Sequence, residues 1–372
     1  MDDQTILRIS KENILYKEIA KVLKENILSR KLKVGEKIPS ENQLSKILNV
    51  SRHTVRLGIE ELVREGYLVK KQGQGTFVKL PELELEIEKC LIGVFVYKAD
   101  EQTDSPYLKY LTTFLSREDI LLTIYQISDY PELEGLCRKI INDKFVKGII
   151  SLSIFSEGDK DLIEFLQRHQ IIVINIGRRI DTTNVDWVIC DSAYGSFLMT
   201  KYLIETGHKK IMFLINEPHT CVIWDRLIGY KLAHQYFNIE IEEELIIDCN
   251  TRFFENSKEK AYFKIKEIFK KKQKLPDAIF CVSDAGAIGV IRGLEEMGYK
   301  VPDDVSVCGF DDISSAELFN LTTIRNPYKE MSKKAVEIIL KNLEKKIFIP
   351  ENPEKIILKP EIVIRNSVKE RG

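Results

Sequence analysis

The apolar positions near the start of the chain recur at helical spacing: Ile19, Val22, Leu23 and Ile27 form one stripe of a helix predicted from Tyr16 to about Ser29. A turn follows at Lys33-Val34-Gly35-Glu36. Pro39-Ser40-Glu41-Asn42-Gln43 has the form of a helix start, with Ser40 as the cap and Gln43 completing a capping box. Leu44, Ile47 and Leu48 are the expected buried side of that short helix, and Asn49 suits the left-handed turn that ends it. Ser51 caps the next helix, predicted to run to about Glu65 and to bury Val55, Ile59 and Leu62. The period then drops to that of strands. Tyr67–Lys71 and Thr76–Val78 flank the tight turn Gln72-Gly73-Gln74-Gly75, so the pattern reads as a helix-turn-helix with a hairpin wing.

Past a charged stretch at 81–88, read as a linker, apolar strand-like runs alternate with helical ones. Predicted strands are Leu91–Tyr97, Leu121–Gln126, Gly148–Leu152, Ile171–Ile176, Ile211–Ile215, Ala278–Val282 and Val305–Phe310. Predicted helices between them include Ser192–Thr206, Arg226–Phe237, Ser257–Lys272 and Ala285–Met297. Strand, helix, strand at this rhythm gives parallel sheets covered by helices on both faces. The fold class is therefore α/β: a winged helix-turn-helix over 1–80, then a domain over 89–366 whose length suits two parallel-sheet lobes.

With 44% hydrophobic and 30% charged residues, the 372-residue chain has the composition of an ordinary folded protein. It contains no run of about 18 apolar residues, so no membrane span is expected. Met1-Asp2-Asp3-Gln4 lacks the basic-then-apolar order of a signal peptide, which puts the expected location in the cytoplasm. The seven cysteines form no C-x-x-C pair and the five histidines no pair at ligand spacing, so reduced thiols and no metal are expected. A net charge of −1 conceals a division: residues 1–80 carry 16 Lys+Arg against 10 Asp+Glu, the rest 40 against 47. That asymmetry fits a polyanion at one end only.

On the helix capped by Ser51, Arg52 and Arg56 are i,i+4 neighbours with His53 beside them, on a face separate from the apolar stripe. Recognition helices present their first turns to the major groove, where an arginine fork matches guanine O6/N7. Two arginines on an exposed helix are usually only solvated charge; the turn before them and the wing after them decide for DNA. The strings Pro39-Ser40-Glu41, Val50-Ser51-Arg52-His53-Thr54-Val55-Arg56, Leu62-Val63-Arg64-Glu65-Gly66-Tyr67-Leu68 and Gly73-Gln74-Gly75-Thr76-Phe77-Val78 resemble the GntR family of bacterial regulators. The resemblance implies DNA contacts at Glu41, Asn42, Arg52, His53, Thr54, Arg56, Gln72 and Gly73.

Further strings follow: Asp191-Ser192-Ala193-Tyr194-Gly195, Arg226-Leu227-Ile228-Gly229-Tyr230, Pro276-Asp277-Ala278-Ile279-Phe280-Cys281-Val282-Ser283-Asp284 and Val301-Pro302-Asp303-Asp304-Val305-Ser306-Val307-Cys308-Gly309-Phe310-Asp311-Asp312. Together they resemble the effector domain of LacI/GalR-type repressors, itself similar to periplasmic sugar-binding proteins. The resemblance implies that the domain over 89–366 binds an effector and dimerises. Ligands of open α/β sheets bind at the carboxyl ends of strands. Asn175, Ser283 and Asp311 sit at or just past such ends, and Arg226 opens a helix facing the same crevice. Arginine and aspartate suit sugar diols, one donating and the other accepting two hydrogen bonds. Trp187, Trp224 and Phe253 are candidates for a stacking wall. Each has a plainer reading: Asp311 as a loop cap, Ser283 as a helix cap, Trp187 as core. Two departures bear on the ligand: many relatives have asparagine where Ser283 stands, and the acidic loop Lys98–Tyr107 lacks the usual polar-aromatic character.

The resemblance implies a homodimeric repressor on palindromic operator DNA. A sugar, arabinose or a related one, would release it by closing the lobes about hinges near Asp191, Asp312 and Asn326. The same kind of regulator answering to a nucleoside or phosphorylated metabolite is the nearest alternative, and a solute-binding protein is the alternative of another class. Catalysis is not expected. Gly73-x-Gly75 has Val78 at the third glycine position of a dinucleotide fingerprint, and no G-x-x-x-x-G-K-S/T, H-E-x-x-H or G-x-S-x-G string occurs. No cofactor is implied.

Overall fold

Capping chemistry sets the elements of the head. Helix α1 spans Asp3–Leu28 and starts well before Tyr16, since no proline or glycine between Asp3 and Tyr16 interrupts it. Helix α2 (Glu41–Leu48) opens on the predicted box: the Gln43 N–H donates to Ser40 Oγ at 3.4 Å and the Ser40 N–H to Gln43 Oε1 at 2.9 Å. Asn49 ends it at φ 50°, and Ser51, accepting from the Thr54 N–H at 3.1 Å, starts α3 (Arg52–Arg64). Strands β1 (Leu68–Lys71) and β2 (Gly75–Val78) pair antiparallel, Leu68 opposite Val78. The structure, a computed structural model, describes residues 3–29, 31–79, 90–97, 106–118, 120–270 and 275–371, with backbone alone for 3–14 and 28.

Ile19, Ile27, Leu44, Val55, Ile59, Leu62, Leu68 and Val78 close the core of the head. Val22, Ile47 and Leu48 do not join it; they are 54%, 70% and 42% exposed. Helix α2 is barely two turns long, so one inward position, Leu44, serves it, and the left-handed residue at Asn49 carries its last turn outward. The segment after the predicted turn pairs with the wing: the Val78 N–H donates to Glu36 O at 2.8 Å and the Ile38 N–H to Thr76 O at 3.0 Å. Gly75 makes that brace possible. It holds φ 117°, and a Cβ there would lie 2.6 Å from Lys37 Cε.

The chain divides into two units, Met1–Glu88 and Lys89–Gly372. The predicted linker, 81–88, lies outside the described residues, as does 98–105 of the loop Lys98–Tyr107. The second unit holds two parallel sheets. The first has order β13-β7-β6-β5-β3-β4, from β3 (Leu91–Tyr97), β4 (Leu121–Ile127), β5 (Val146–Leu152), β6 (Ile172–Ile176), β7 (Asp186–Cys190) and β13 (Lys355–Leu358). Helices α4 (Pro106–Leu115) and α12 (Tyr328–Lys345) supply Leu111, Leu115, Met331 and Ile339 to one face. Helices α5 (Tyr130–Ile140) and α6 (Lys160–Arg168) supply Leu133, Ile140, Ile163 and Leu166 to the other.

The second sheet, order β11-β10-β8-β9, comprises β8 (Ile211–Ile215), β9 (Ile246–Asp248), β10 (Ala278–Cys281) and β11 (Ser306–Cys308). Helices α9 (Ser257–Lys270) and α10 (Asp284–Glu296) cover one face, α7 (Ser192–Glu205) and α8 (Cys221–Tyr236) the other. Beyond the short α11 (Ser314–Leu318), β12 (Thr323–Arg325) pairs antiparallel with β14 (Glu361–Val363). The chain thus passes between the lobes at Asp191, at Asn326-Pro327 and at Lys359-Pro360. Two of the three positions expected as hinges, Asp191 and Asn326, lie on these crossings; Asp312 lies on none and instead binds Arg325 and Arg365 at 2.6 and 2.7 Å. The unit continues past residue 366: Val368 is buried, and the Arg371 N–H donates to Thr206 O at 2.8 Å. Among the described residues no helix is long and apolar enough to cross a membrane. Cys137, Cys190 and Cys249 are buried thiols whose pKa burial pushes up to about 12.

Candidate DNA-reading face and ligand cleft

In the head, Arg52 and Arg56 project from the first turns of α3 with side chains 59% and 49% exposed. Glu41, from α2, pairs with both: Arg52 Nε donates to its Oε2 at 3.3 Å, Arg56 Nε lies 3.4 Å from the same oxygen, and Lys70 Nζ of β1 lies 3.8 Å from Oε1. One glutamate thus gathers cations from helix and wing. Asn42, His53 and Gln72 are exposed, and Gly73 turns the wing tip at φ 72°. Thr54 differs from the expectation. It is only 5% exposed and its hydroxyl pairs with Ser51 Oγ at 2.7 Å, because the third helical position turns inward beside Val55. The structure makes Thr54 part of the cap rather than of the exposed face.

In the second unit, Arg226 lies in the second turn of α8 and not at its start, since α8 begins at Cys221. Its side chain is 7% exposed and its Nη2 donates to Asp311 Oδ1 at 2.8 Å. Nη1 donates to the Val282 carbonyl, and the guanidinium carbon sits 3.6 Å from the centroid of the Phe310 ring. Asp311 follows β11 at φ 111°, a strained backbone for a residue with a Cβ. It is held there by Asn326 Nδ2, donating to Oδ1 at 3.1 Å, and by the Tyr328 hydroxyl, donating to its carbonyl at 2.7 Å. Burial pushes the Asp311 carboxyl up, while Arg226 and Asn326 pull it down.

Ser283 does cap α10, accepting from the Gly286 N–H at 3.3 Å. It also accepts from Asn216 Nδ2 and donates to Glu217 Oε1, both at 2.6 Å. Asn216 fits only against a glycine: a Cβ on Gly286 would lie 2.2 Å from its Cγ. Burial raises the Glu217 pKa, opposed by hydrogen bonds from Ser283 and Ser257. Across from these, Tyr97 ends β3, donates to Ser153 O at 3.1 Å and meets the ring of Phe254 edge-on at 5.4 Å. Arg178, 7% exposed, stacks 5.5 Å from the Phe253 ring. Tyr107 packs edge-on against Tyr328 at 4.6 Å, and Arg179 grips Asp225 with bonds of 2.8 and 3.2 Å. Tyr97–Phe254, Arg178–Phe253 and Arg179–Asp225 span the two lobes, whereas Tyr107–Tyr328 joins α4 to α12 within the first. The carboxylates, guanidinium groups and rings of these residues gather where the two lobes face each other, and this is the candidate cleft.

Of the predicted effector residues, Arg226, Asp311, Ser283 and Phe253 come together in this cleft. Asn175 is fully buried in β6, and its Nδ2 donates to Arg178 O at 2.7 Å, so it positions the arginine's loop. Trp187 is 5% exposed within β7, beside the edge strand with Lys355 Nζ 5.8 Å from its ring; it is a packing residue. Trp224 is 46% exposed and packs edge-on against His219 at 5.1 Å. Sequence reasoning missed Glu217, Arg178, Tyr97, Phe254 and Tyr328. Glu217, Arg178 and Tyr97 each end or closely follow a predicted strand, so the rule that found Asp311 would have found them. No group of His, Cys, Asp or Glu among the described residues could hold a metal.

An arginine-bearing winged helix-turn-helix and a two-lobed ligand cleft are the parts of a ligand-responsive DNA-binding regulator. Residues 15–78 match the bacterial regulatory proteins of the gntR family, and residues 200–368 match the periplasmic binding protein-like domain. Over 361 residues the chain is 28% identical to the arabinose metabolism transcriptional repressor of Geobacillus stearothermophilus, covering 95% of this chain and 98% of the relative. Over 288 residues it is 31% identical to the HTH-type transcriptional repressor PurR of Vibrio parahaemolyticus, covering 75% of this chain and 81% of the relative. A LacI family transcriptional regulator from Enterococcus faecium, solved with bound ribose, matches 76% of this chain and all of its own at 25% identity and a TM-score of 0.61. The chain belongs to the bacterial helix-turn-helix transcriptional repressors, with a gntR-family head on a LacI-type sensor.

Proposed function

We propose that this chain represses carbohydrate-utilisation genes as a homodimer on a palindromic operator, and that a sugar, arabinose or a related one, releases it. The observation that carries the reading is the side-chain set where the lobes face each other: Arg226 fixed on Asp311 and the Phe310 ring, Arg178 over the Phe253 ring, and Tyr97 edge-on to Phe254. Fixed donors and acceptors flanked by aromatic faces suit a ring of hydroxyls. Likeness to an arabinose repressor along nearly the whole chain supports arabinose first, and a ribose-bound neighbour supports the pentose class. On DNA, Arg52, Arg56 and His53 read bases from α3, while Asn42, Gln72 and Gly73 approach the backbone and Glu41 orients the arginines.

Effector binding draws the lobes together about Asp191, Asn326 and Lys359-Pro360. Closure then weakens operator binding by a coupling of about 1–3 kcal/mol. The direct test is operator binding by fluorescence anisotropy with and without saturating L-arabinose, D-ribose and D-xylose. Release by one of them supports the proposal; unchanged or tighter binding with all of them defeats it. The nucleobase reading has an observation behind it too, since the PurR relatives share the sensor at similar identity. Release by a purine and by no sugar would establish that reading instead.

A further inference from the structure

Glu217 is a carboxylate held by the hydrogen bonds of neutral neighbours, Ser283, Asn216 and Ser257. It stands two residues past the end of β8, half-buried, with Oε1 accepting from Ser283 Oγ at 2.6 Å and from Asn216 Nδ2 at 3.3 Å. Among the described residues no lysine or arginine lies within ion-pair distance of it, whereas Arg226 is already taken up by Asp311. Asn216, fully buried beside it, keeps its Oδ1 without a partner among the described residues, and so does Asn326 at 8% exposure next to Asp311. From the opposite lobe, Arg178 is 7% exposed and has neither Nε nor Nη1 bonded to a described group. The Tyr97 hydroxyl lies in the field of both: Arg178 pulls its pKa down, and Glu217 pushes the same way as burial, up.

Polar groups this buried are matched by hydrogen-bond partners in native structures, so these atoms mark where a ligand's own polar groups go. Their signs say what kind. Two carboxylates (Glu217, Asp311) meet two guanidinium groups (Arg178, Arg226), leaving no surplus cation for an anion. A ligand there must donate to Glu217 and to the amide oxygen of Asn326, and accept from Arg178. A hydroxyl does either. A phosphate or carboxylate brings only acceptors and a charge that Glu217 opposes in a water-poor site.

We infer that Glu217 is the residue that selects the effector's chemical class: it admits uncharged polyhydroxyl ligands and turns away their phosphorylated forms. This rests on the cleft being the effector site, as proposed above. The experiment is calorimetric titration of the intact chain with L-arabinose, D-ribose, D-xylose, D-galactose and cellobiose, each beside a phosphate monoester of the same sugar. At least one neutral sugar should bind, with its ester about 100-fold weaker or more, since like charges at a desolvated contact cost several kcal/mol. Glu217→Gln keeps the shape and removes the charge, and should narrow that gap to about tenfold or less. An ester that binds the intact chain as well as its sugar overturns the inference, as does a gap that Glu217→Gln leaves unchanged, or silence from every neutral sugar. Phe253→Ala separates this from the reading beneath it. If Phe253→Ala weakens sugar binding while Glu217→Gln changes nothing, the class filter falls and the cleft stands; if neither variant matters, the cleft falls too.

Discussion

In the head, Glu41 is shared by Arg52, Arg56 and Lys70 at 3.3 to 3.8 Å, and these side chains are 41% to 59% exposed. In the cleft, Asp311 holds Arg226 at 2.8 Å with the guanidinium 7% exposed, against a ring and a backbone carbonyl. Exposed ion pairs are worth about 0–1 kcal/mol, so the head's arginines can leave Glu41 for a phosphate or a guanine edge at little cost. A buried charge that loses its partner costs several times more, so Arg226 stays where it is and presents a fixed shape. The same chemistry serves exchange in one place and preorganisation in the other; solvent decides which.

The largest test of that contrast is Arg226→Ala. It strands Asp311 and should cost about 3–5 kcal/mol of stability together with the effector response. Urea unfolding of the intact chain measures it, and an unshifted midpoint would remove the distinction between the two clusters. Next comes Arg52→Ala. Operator affinity should fall by about 1–3 kcal/mol, while unfolding moves by no more than about 0.5 kcal/mol. Glu41→Gln sharpens the same point from the other side. With the competing carboxylate gone, affinity for non-specific DNA should rise and the ratio of operator to non-specific binding should fall, both read by anisotropy at fixed salt.

The head was legible nearly residue by residue because its signals are local: Ser40 with Gln43, Ser51 with Thr54 and Gly75 at the wing each act within a few positions. Where it was misread, as at Val22, Ile47 and Thr54, the wheel gave the face but not which part of that face meets a neighbour. The larger unit revealed its first-order rhythm but not β7, β9, β12, β13 or β14. Three of these are only three residues long, and β13 joins β7 across more than 160 positions, a pairing that no local period encodes. Arg226 and Asp311 were readable from family strings. Their partners Asn326 and Tyr328 were not, since they arrive on the crossing segment between the lobes.

Between the two extremes stands Arg179–Asp225, which joins the lobes with side chains 39% and 19% exposed. Arg179→Ala should leave folding within about 1 kcal/mol and weaken the proposed sugar by a few-fold, because a partly screened pair favours the closed form only modestly. Operator affinity without effector should not move. A large loss of stability would put this pair with Arg226 rather than with the head.

The smallest effect concerns protons. His208 is 1% exposed: Nδ1 lies 2.9 Å from Leu203 O and Nε2 lies 2.8 Å from Ser306 Oγ, so the network assigns the proton to Nδ1 and makes Nε2 the acceptor. Burial lowers its pKa, and Arg371 adds to the shift. The fold therefore favours the neutral ring, while the unfolded chain takes up a proton near pH 6.5. Stability from this group is complete above that pH and is lost as the pH falls from there through the lower folded pKa. His234, lowered by burial as well, adds a slope of the same sign. Melting curves between about pH 5 and pH 7.5 should show the midpoint fall with acid, and His208→Asn should flatten part of that fall by removing the group that must charge on unfolding. An identical slope in the variant would mean that His208 takes up its proton inside the fold, with Ser306 turning its hydroxyl to accept.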